Sequence, residues 1–138
     1  MNKSALQQYT SASKQAEVAY ASPHTLILLL MEGALEKIAV AKGCMQRQEI
    51  AEKGSMIGWA ISIIDGLRMS LDMDAGGEIA ENLDNLYDYM TRQLVLGHAR
   101  NDEAKLDEVA GLMKTIKSGW EGIADQVNNQ EESEPVQK

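Results

Sequence analysis

The chain has no phenylalanine, one cysteine, and no apolar run long enough to cross a bilayer. Its longest apolar stretch, Leu26 to Met31, stops at Glu32, whereas a spanning helix needs roughly 18 or more such residues. The first fifteen residues, MNKSALQQYTSASKQ, carry one early lysine but no apolar core of a secretory signal. A cytoplasmic protein is expected. The lone Cys44 cannot form an internal disulfide and has no partner at metal spacing, which agrees with a reducing compartment. Basic charge is also short: 13 Lys plus Arg against 21 Asp plus Glu give a net charge of −8, which repels phosphate backbones and makes nucleic acid an unfavourable partner.

With four tyrosines and two tryptophans as its only aromatics, the core falls to Leu, Ile, Met and Ala, the usual filling of helix interfaces. Sustained β-branched alternation, the mark of strands, is absent. At 138 residues the chain fits one domain able to bury a core without staples. Four helices can be drawn. The first starts at Ser22 as N-cap with Pro23 at the first helical position and ends at about Lys42, with Gly43 as its stop. A second, Ile50 to Leu71, carries Ile57, Ala60, Ile64, Leu67 and Leu71 on one face; its interior Gly54, Gly58 and Gly66 each cost about 1 kcal/mol and call for close packing or a bend. The segment DMDAGG (72–77) separates it from a third, Glu78 to about Ala99, with Leu83, Leu86, Tyr87, Met90 and Leu94 at spacings of three and four. Asn101 or Asp102 caps a fourth, striped by Leu106, Val109, Met113, Ile116 and Trp120.

Short links between long amphipathic helices favour antiparallel neighbours. The expected fold is all-α: an antiparallel, up-down four-helix bundle over 22–127, preceded by an N-terminal arm or short helix (1–21) and followed by a disordered acidic tail (128–138).

Chemistry is hard to build from these residues. His24 lies in the first turn of helix one and His98 at the end of helix three, with no Cys or Glu at ligand spacing and no HExxH. Dinuclear bundle sites use Glu-x-x-His pairs, and none occurs here. Glu78, Glu81, Asp84 and Asp88 crowd the first turns of helix three, where carboxylates suit the positive end of the dipole and a solvated face. No phosphate-binding glycine loop is present. Cys44 reads as a semi-buried small residue. No catalytic residue, cofactor or metal is expected, and binding is the remaining class of function.

Leu26, Ile27, Leu28, Leu29, Leu30 and Met31 point in nearly every direction around a helix axis, more than one packing face uses. They are covered by a central position in the bundle, by the arm, by another subunit, or by a partner helix laid in a groove. Tyr87 and Tyr89, two apart, cannot share a helix face, so one belongs to the core and the other to the surface.

Three strings carry a family likeness: YASPHTLILLLMEGAL (20–35), GLRMSLD (66–72) and NLDNLYDYMTRQLVLGHARND (82–102), with a late Trp120 before Glu121. In this order they resemble the flagellar secretion chaperone FliS family, with similarity from about Tyr9 to Ile123; LYDYM at 86–90 is the most specific piece. The resemblance implies a cytoplasmic helical bundle that binds the disordered C-terminal segment of flagellin in apolar grooves, prevents premature polymerisation, and presents it to the flagellar type III export gate. It implies Leu26, Leu28, Leu29 and Met31 on helix one and Tyr87, Met90 and Leu94 on helix three as groove residues, and an arm with Tyr9 that covers part of the bundle when the client is absent. A monomer or weak dimer is expected. One departure stands out: the family usually carries an aromatic and an Asp before Gly-Ala, and here these are Met31 and Glu32, so the groove beside helix one would be shaped for a different flagellin. The alternative reading is an adaptor or chaperone bundle for another exported protein, or a self-associating structural bundle.

Overall fold

The computed structural model describes residues 22–133, with side chains over 22–123. Four helices, α1 (Pro23–Gln46), α2 (Ile50–Met69), α3 (Met73–Arg100) and α4 (Glu103–Ser133), follow one another through short connections. Each packs on its neighbours in sequence, and α4 returns against α1 to close the ring. The antiparallel four-helix bundle is therefore the observed fold.

The start of α1 is the one expected. Ser22 is extended at φ −67° and ψ 162°, its Oγ accepts the Thr25 N–H at 3.1 Å, and Pro23 fills the first helical position. The end differs. Gly43 lies inside the helix, which continues to Gln46 because Cys44 and Met45 bury their side chains and offset the cost of one interior glycine. Closure comes from Gln48, at φ 61° in the left-handed region. The Glu49 N–H then reaches back to the Cys44 carbonyl at 2.9 Å and the Gln48 N–H to that of Met45 at 3.2 Å, the paired bonds of a Schellman stop.

The second helix ends at Met69, short of the expected Leu71, with Ser70 donating its hydroxyl to the Leu67 carbonyl at 2.7 Å. The break expected over 72–77 is narrower than its composition suggested. Asp72 caps a helical turn by accepting the Ala75 N–H at 3.0 Å, and only Gly77, at φ 53° and ψ −128°, leaves helical geometry. A side chain there would be strained, so glycine is what allows the chain to turn into the main body of α3. At the far end Asn101 takes the left-handed position, and Gly97 lets Leu106 and the Asp102 carbonyl approach where a Cβ would stand 2.7 and 3.3 Å from them. The backbone of α4 is drawn as helix through Ser133. Residues 1–21, assigned to the arm, and 134–138 lie outside the described residues.

The core is aliphatic and methionine-rich, with Met31, Ile38, Ile64, Leu67, Met90, Leu94, Leu106 and Met113 all under 2% exposed. Polar ties brace its edges. Lys53, 3% exposed, donates to the His98 carbonyl at 3.2 Å and to the Asn101 side-chain carbonyl, placing a cation on the negative end of α3. Arg68 grips both Asp84 oxygens at 2.9 and 3.3 Å and reaches Asp88 at 3.3 Å, joining α2 to α3. At the opposite seam Lys42 on α1 meets Asp107 at 2.8 Å and Glu103 at 3.5 Å on α4. Tyr87 is 2% exposed, and burial pushes its phenol up to about 12, while Tyr89 is half-buried and donates its hydroxyl to Glu108 at 2.7 Å.

Two stability outcomes follow from these ties. Replacing Gln48→Gly removes the left-handed penalty of a side chain and is expected to raise unfolding free energy by up to about 1 kcal/mol in urea titration; a loss would mean that the Gln48 side chain contributes more than its backbone costs. The Arg68 guanidinium holds the Asp84 carboxyl below its usual range, chiefly through their hydrogen bond. That contribution is complete above the unfolded aspartate value of about 4 and is lost as pH falls through the lower folded one. Asp84→Asn is therefore expected to destabilise at pH 7 and to converge with the parent chain in strong acid; a gap independent of pH would assign the effect to packing.

Candidate binding surface

On α1 the 3.6-residue period sends Met31, Ala34, Ile38, Ala41 and Met45 into the core, while Ile27, Leu30 and Leu35 are partly buried against it. Because α1 packs on α2 along one side and α4 along the other, most of the apolar run finds cover within the bundle. What stays open is Leu26, 40% exposed, with Leu28 and Leu29 half-buried. These three form the accessible part of the run.

The other residues named for the groove sit elsewhere. Met31 (1% exposed), Tyr87 (2%), Met90 (0%) and Leu94 (0%) are core side chains that offer no surface to a partner in this conformation. The same periodicity that makes them apolar turns them inward, and in a bundle core and groove stripes look alike in sequence. Met31 thus belongs to interior packing rather than to an outer groove. Tyr9 lies outside the described residues.

The structure adds residues that pattern reading passed over. Val40, 41% exposed, shares the outward line of α1 with Leu26 and Leu29 at helical spacing. Beyond it, at the α1–α2 turn, lies a cleft of mixed character, with Val40, Cys44, Ile50 and Ala51 beside Arg47, Glu49 and Glu52, where Ile50 is 66% exposed. Gly33 is buried on α1 beside Ile63 of α2, whose Cδ1 lies 3.5 Å from where a Cβ would stand, an ordinary contact distance. The Lys37 ammonium lies 3.8 Å from the centroid of the Trp59 ring, laying its stem along the seam. The signal for Val40 was present, because extending the Leu26–Leu29 line along the helix reaches it. Nothing in the sequence placed Lys37 over Trp59.

Along its outer edge the strip is acidic. Glu36 pairs with Lys37 at 3.5 Å, and Glu32 stands 3.8 Å from Lys117 of α4. At the start of α1, His24 and Trp120 form a clasp to α4. Their rings stack at 4.2 Å and 11°, His24 Nε2 donates to the Trp120 carbonyl at 3.0 Å, and Trp120 Nε1 donates to that of His24 at 3.0 Å. Stacking and the Nε2 hydrogen bond occupy the imidazole in structure, while the Trp120 indole ties to the His24 backbone. His98 lies at the opposite end of the bundle, against Gly54 and above Lys53, so the two histidines share no site.

No group of three or more His, Cys, Asp or Glu side chains is placed to hold a metal among the described residues, and no described helix is long and apolar enough to cross a membrane. Cys44 is 1% exposed rather than semi-buried. Burial pushes its thiol up, the Glu49 carboxylate adds to this, and Arg47 opposes it. A thiol held in its neutral form is a poor nucleophile. Cys44 is expected to react with an aromatic disulfide reagent many-fold more slowly in the folded chain than in denaturant; equal rates would show an open, activated thiol.

Comparison with known proteins places this surface in context. A family model described as Flagellar protein FliS matches residues 5–127. The chain is 52% identical over 120 residues to flagellar secretion chaperone FliSB of Pseudomonas aeruginosa, covering 87% of this chain and 95% of that protein. It is 40% identical over 129 residues to flagellar secretion chaperone FliS of Salmonella typhimurium, covering 93% and 96%. A solved flagellar chaperone from bacteria shares the fold at a TM-score of 0.71 and 13% identity, over 91% of this chain and 99% of that one.

Proposed function

The chain belongs to the FliS family, and on that premise we propose that this flagellar secretion chaperone holds the C-terminal segment of flagellin against the apolar strip of α1. The observation that carries the reading is the exposed remainder of the helix-one run, Leu26, Leu28 and Leu29, with Val40 further along α1 and Ile50 at the α1–α2 turn. Leu26, Leu29 and Val40, on one line of α1, accept the apolar face of an amphipathic segment, with Leu28 on another side of the helix.

The work is shielding without turnover. A segment destined to pack in a polymer is amphipathic, and laying its apolar side on this strip removes about 25 cal/mol per Å² from water, against the cost of ordering the segment. A strip this shallow gives moderate affinity, which suits a client that must be surrendered at the export gate in the cytoplasm. In the same reading residues 1–21, with Tyr9, cover part of the strip until the client displaces them, and the working unit is a monomer or weak dimer.

The test is calorimetric titration of the full chain with the C-terminal peptide of flagellin from the same cell. Leu29→Glu is expected to weaken binding at least tenfold while the thermal midpoint stays within a few degrees, because Leu29 is half-buried at the surface. Charge at Met90 would instead unfold the core and says nothing about the groove. Unchanged affinity in a folded Leu29→Glu chain would sink the α1 assignment, and saturable binding of a different exported protein in its place would favour an adaptor.

A further inference from the structure

The α2–α3 corner is a second surface, separate from the α1 strip. Met69, the last residue of α2, is 85% exposed, Met73 at the start of α3 is 47% exposed, and Ile79 is 72% exposed. Among the described residues Met69 and Ile79 are the two most exposed large apolar side chains. Around them the chain places Asp65, Asp72, Asp74, Glu78 and Glu81, all solvent-exposed. Asp72 caps a turn, and Asp65, Asp74, Glu78 and Glu81 form no ion pair among the described residues. The nearest cation in sequence, Arg68, is committed to Asp84 and Asp88.

The geometry points to this corner as a docking site for a basic amphipathic segment of a partner protein, whose apolar side covers Met69, Met73 and Ile79 and whose Lys or Arg side chains meet the surrounding carboxylates. Charge complementarity selects that occupant. A second copy of this chain would bring the same five carboxylates face to face. An anionic membrane or a nucleic acid would meet repulsion of the same sign. The surface is held in advance of binding, with the Arg68–Asp84 pair spanning the corner and the Gly77 turn fixing the direction of α3. Unbranched methionine side chains adapt to the partner's contour. This inference is independent of what the α1 strip holds.

The probe is a synthetic Leu/Lys amphipathic helical peptide, with its Leu/Glu counterpart as control, titrated into the full chain at low salt and followed by amide chemical shifts. The Leu/Lys peptide is expected to shift amides over 65–82, to lose affinity at least tenfold in the double variant Met69→Gln, Ile79→Gln, and to lose it likewise in Asp74→Asn, Glu78→Gln, Glu81→Gln. The shifts over 65–82 should persist in Leu29→Glu, which separates this surface from the α1 strip. All the altered corner residues are solvent-exposed, so these variants keep the fold. Absence of shifts over 65–82, or shifts there indifferent to the Met69 and Ile79 changes, overturns the proposal. Binding that begins only after residues 1–21 are removed would assign the corner to this chain's own amino-terminal segment, and self-association abolished by Ile79→Gln would assign it to a second copy; either result also overturns it.

Discussion

The close approach of α1 and α2 is the constraint from which the rest of this bundle follows. Gly33, Ala34, Ala41 and Ala60 are all buried at or near that seam, and Ile63 comes within van der Waals reach of where a Gly33 side chain would begin. Small residues let two backbones come together, so side chains of ordinary size must find room to either side of the contact line. Inward they become the aliphatic and methionine core. Outward they become Leu26, Leu29, Val40 and the Lys37-covered Trp59, an apolar strip on a helix whose other flank is already occupied by α4. The surface proposed to hold a client is thus a by-product of how tightly two helices are packed.

The same constraint explains why polar ties appear at the ends and rims. Lys53 on the end of α3, Arg68 against Asp84, Lys42 between Glu103 and Asp107, and the His24–Trp120 clasp each join helices where the apolar seam gives out. Exposed pairs of this kind add little stability one by one. Their directional geometry fixes register, which an aliphatic core with eight methionines in the chain would otherwise specify loosely. Lys53 differs from the others in being buried, so its partners at the end of α3 are required rather than optional.

Sequence patterning revealed the bundle where one physical signal dominated. Ser22–Pro23 marked the start of α1 because few other arrangements satisfy free helix N–H groups so cheaply, and the spacing of Met90 and Leu94 marked α3 as an amphipathic helix. It misplaced the end of α1 because the penalty for Gly43 is local, whereas the burial that outweighs it involves Cys44 and Met45 against other helices. It merged core and groove for a related reason. Met31, Tyr87, Met90 and Leu94 are apolar on account of the interior, Leu26 and Leu29 are apolar without being fully buried, and a one-dimensional pattern records only that all of them are apolar. Burial, which separates them, depends on which neighbours the fold supplies.

That separation also bears on how such a chaperone keeps its shape while its partners change. If the binding residues were those of the core, each client would have to open the bundle, and the cost would fall on Met90 and Leu94, which have no exposed surface. With the strip on the outer line of α1, client contact is added to a structure already closed, and release leaves that structure intact. The corner at Met69 and Ile79 extends the same logic, since it lies where α2 ends and α3 begins and none of its exposed side chains serves the core. Two such surfaces on one rigid frame can then be occupied in either order.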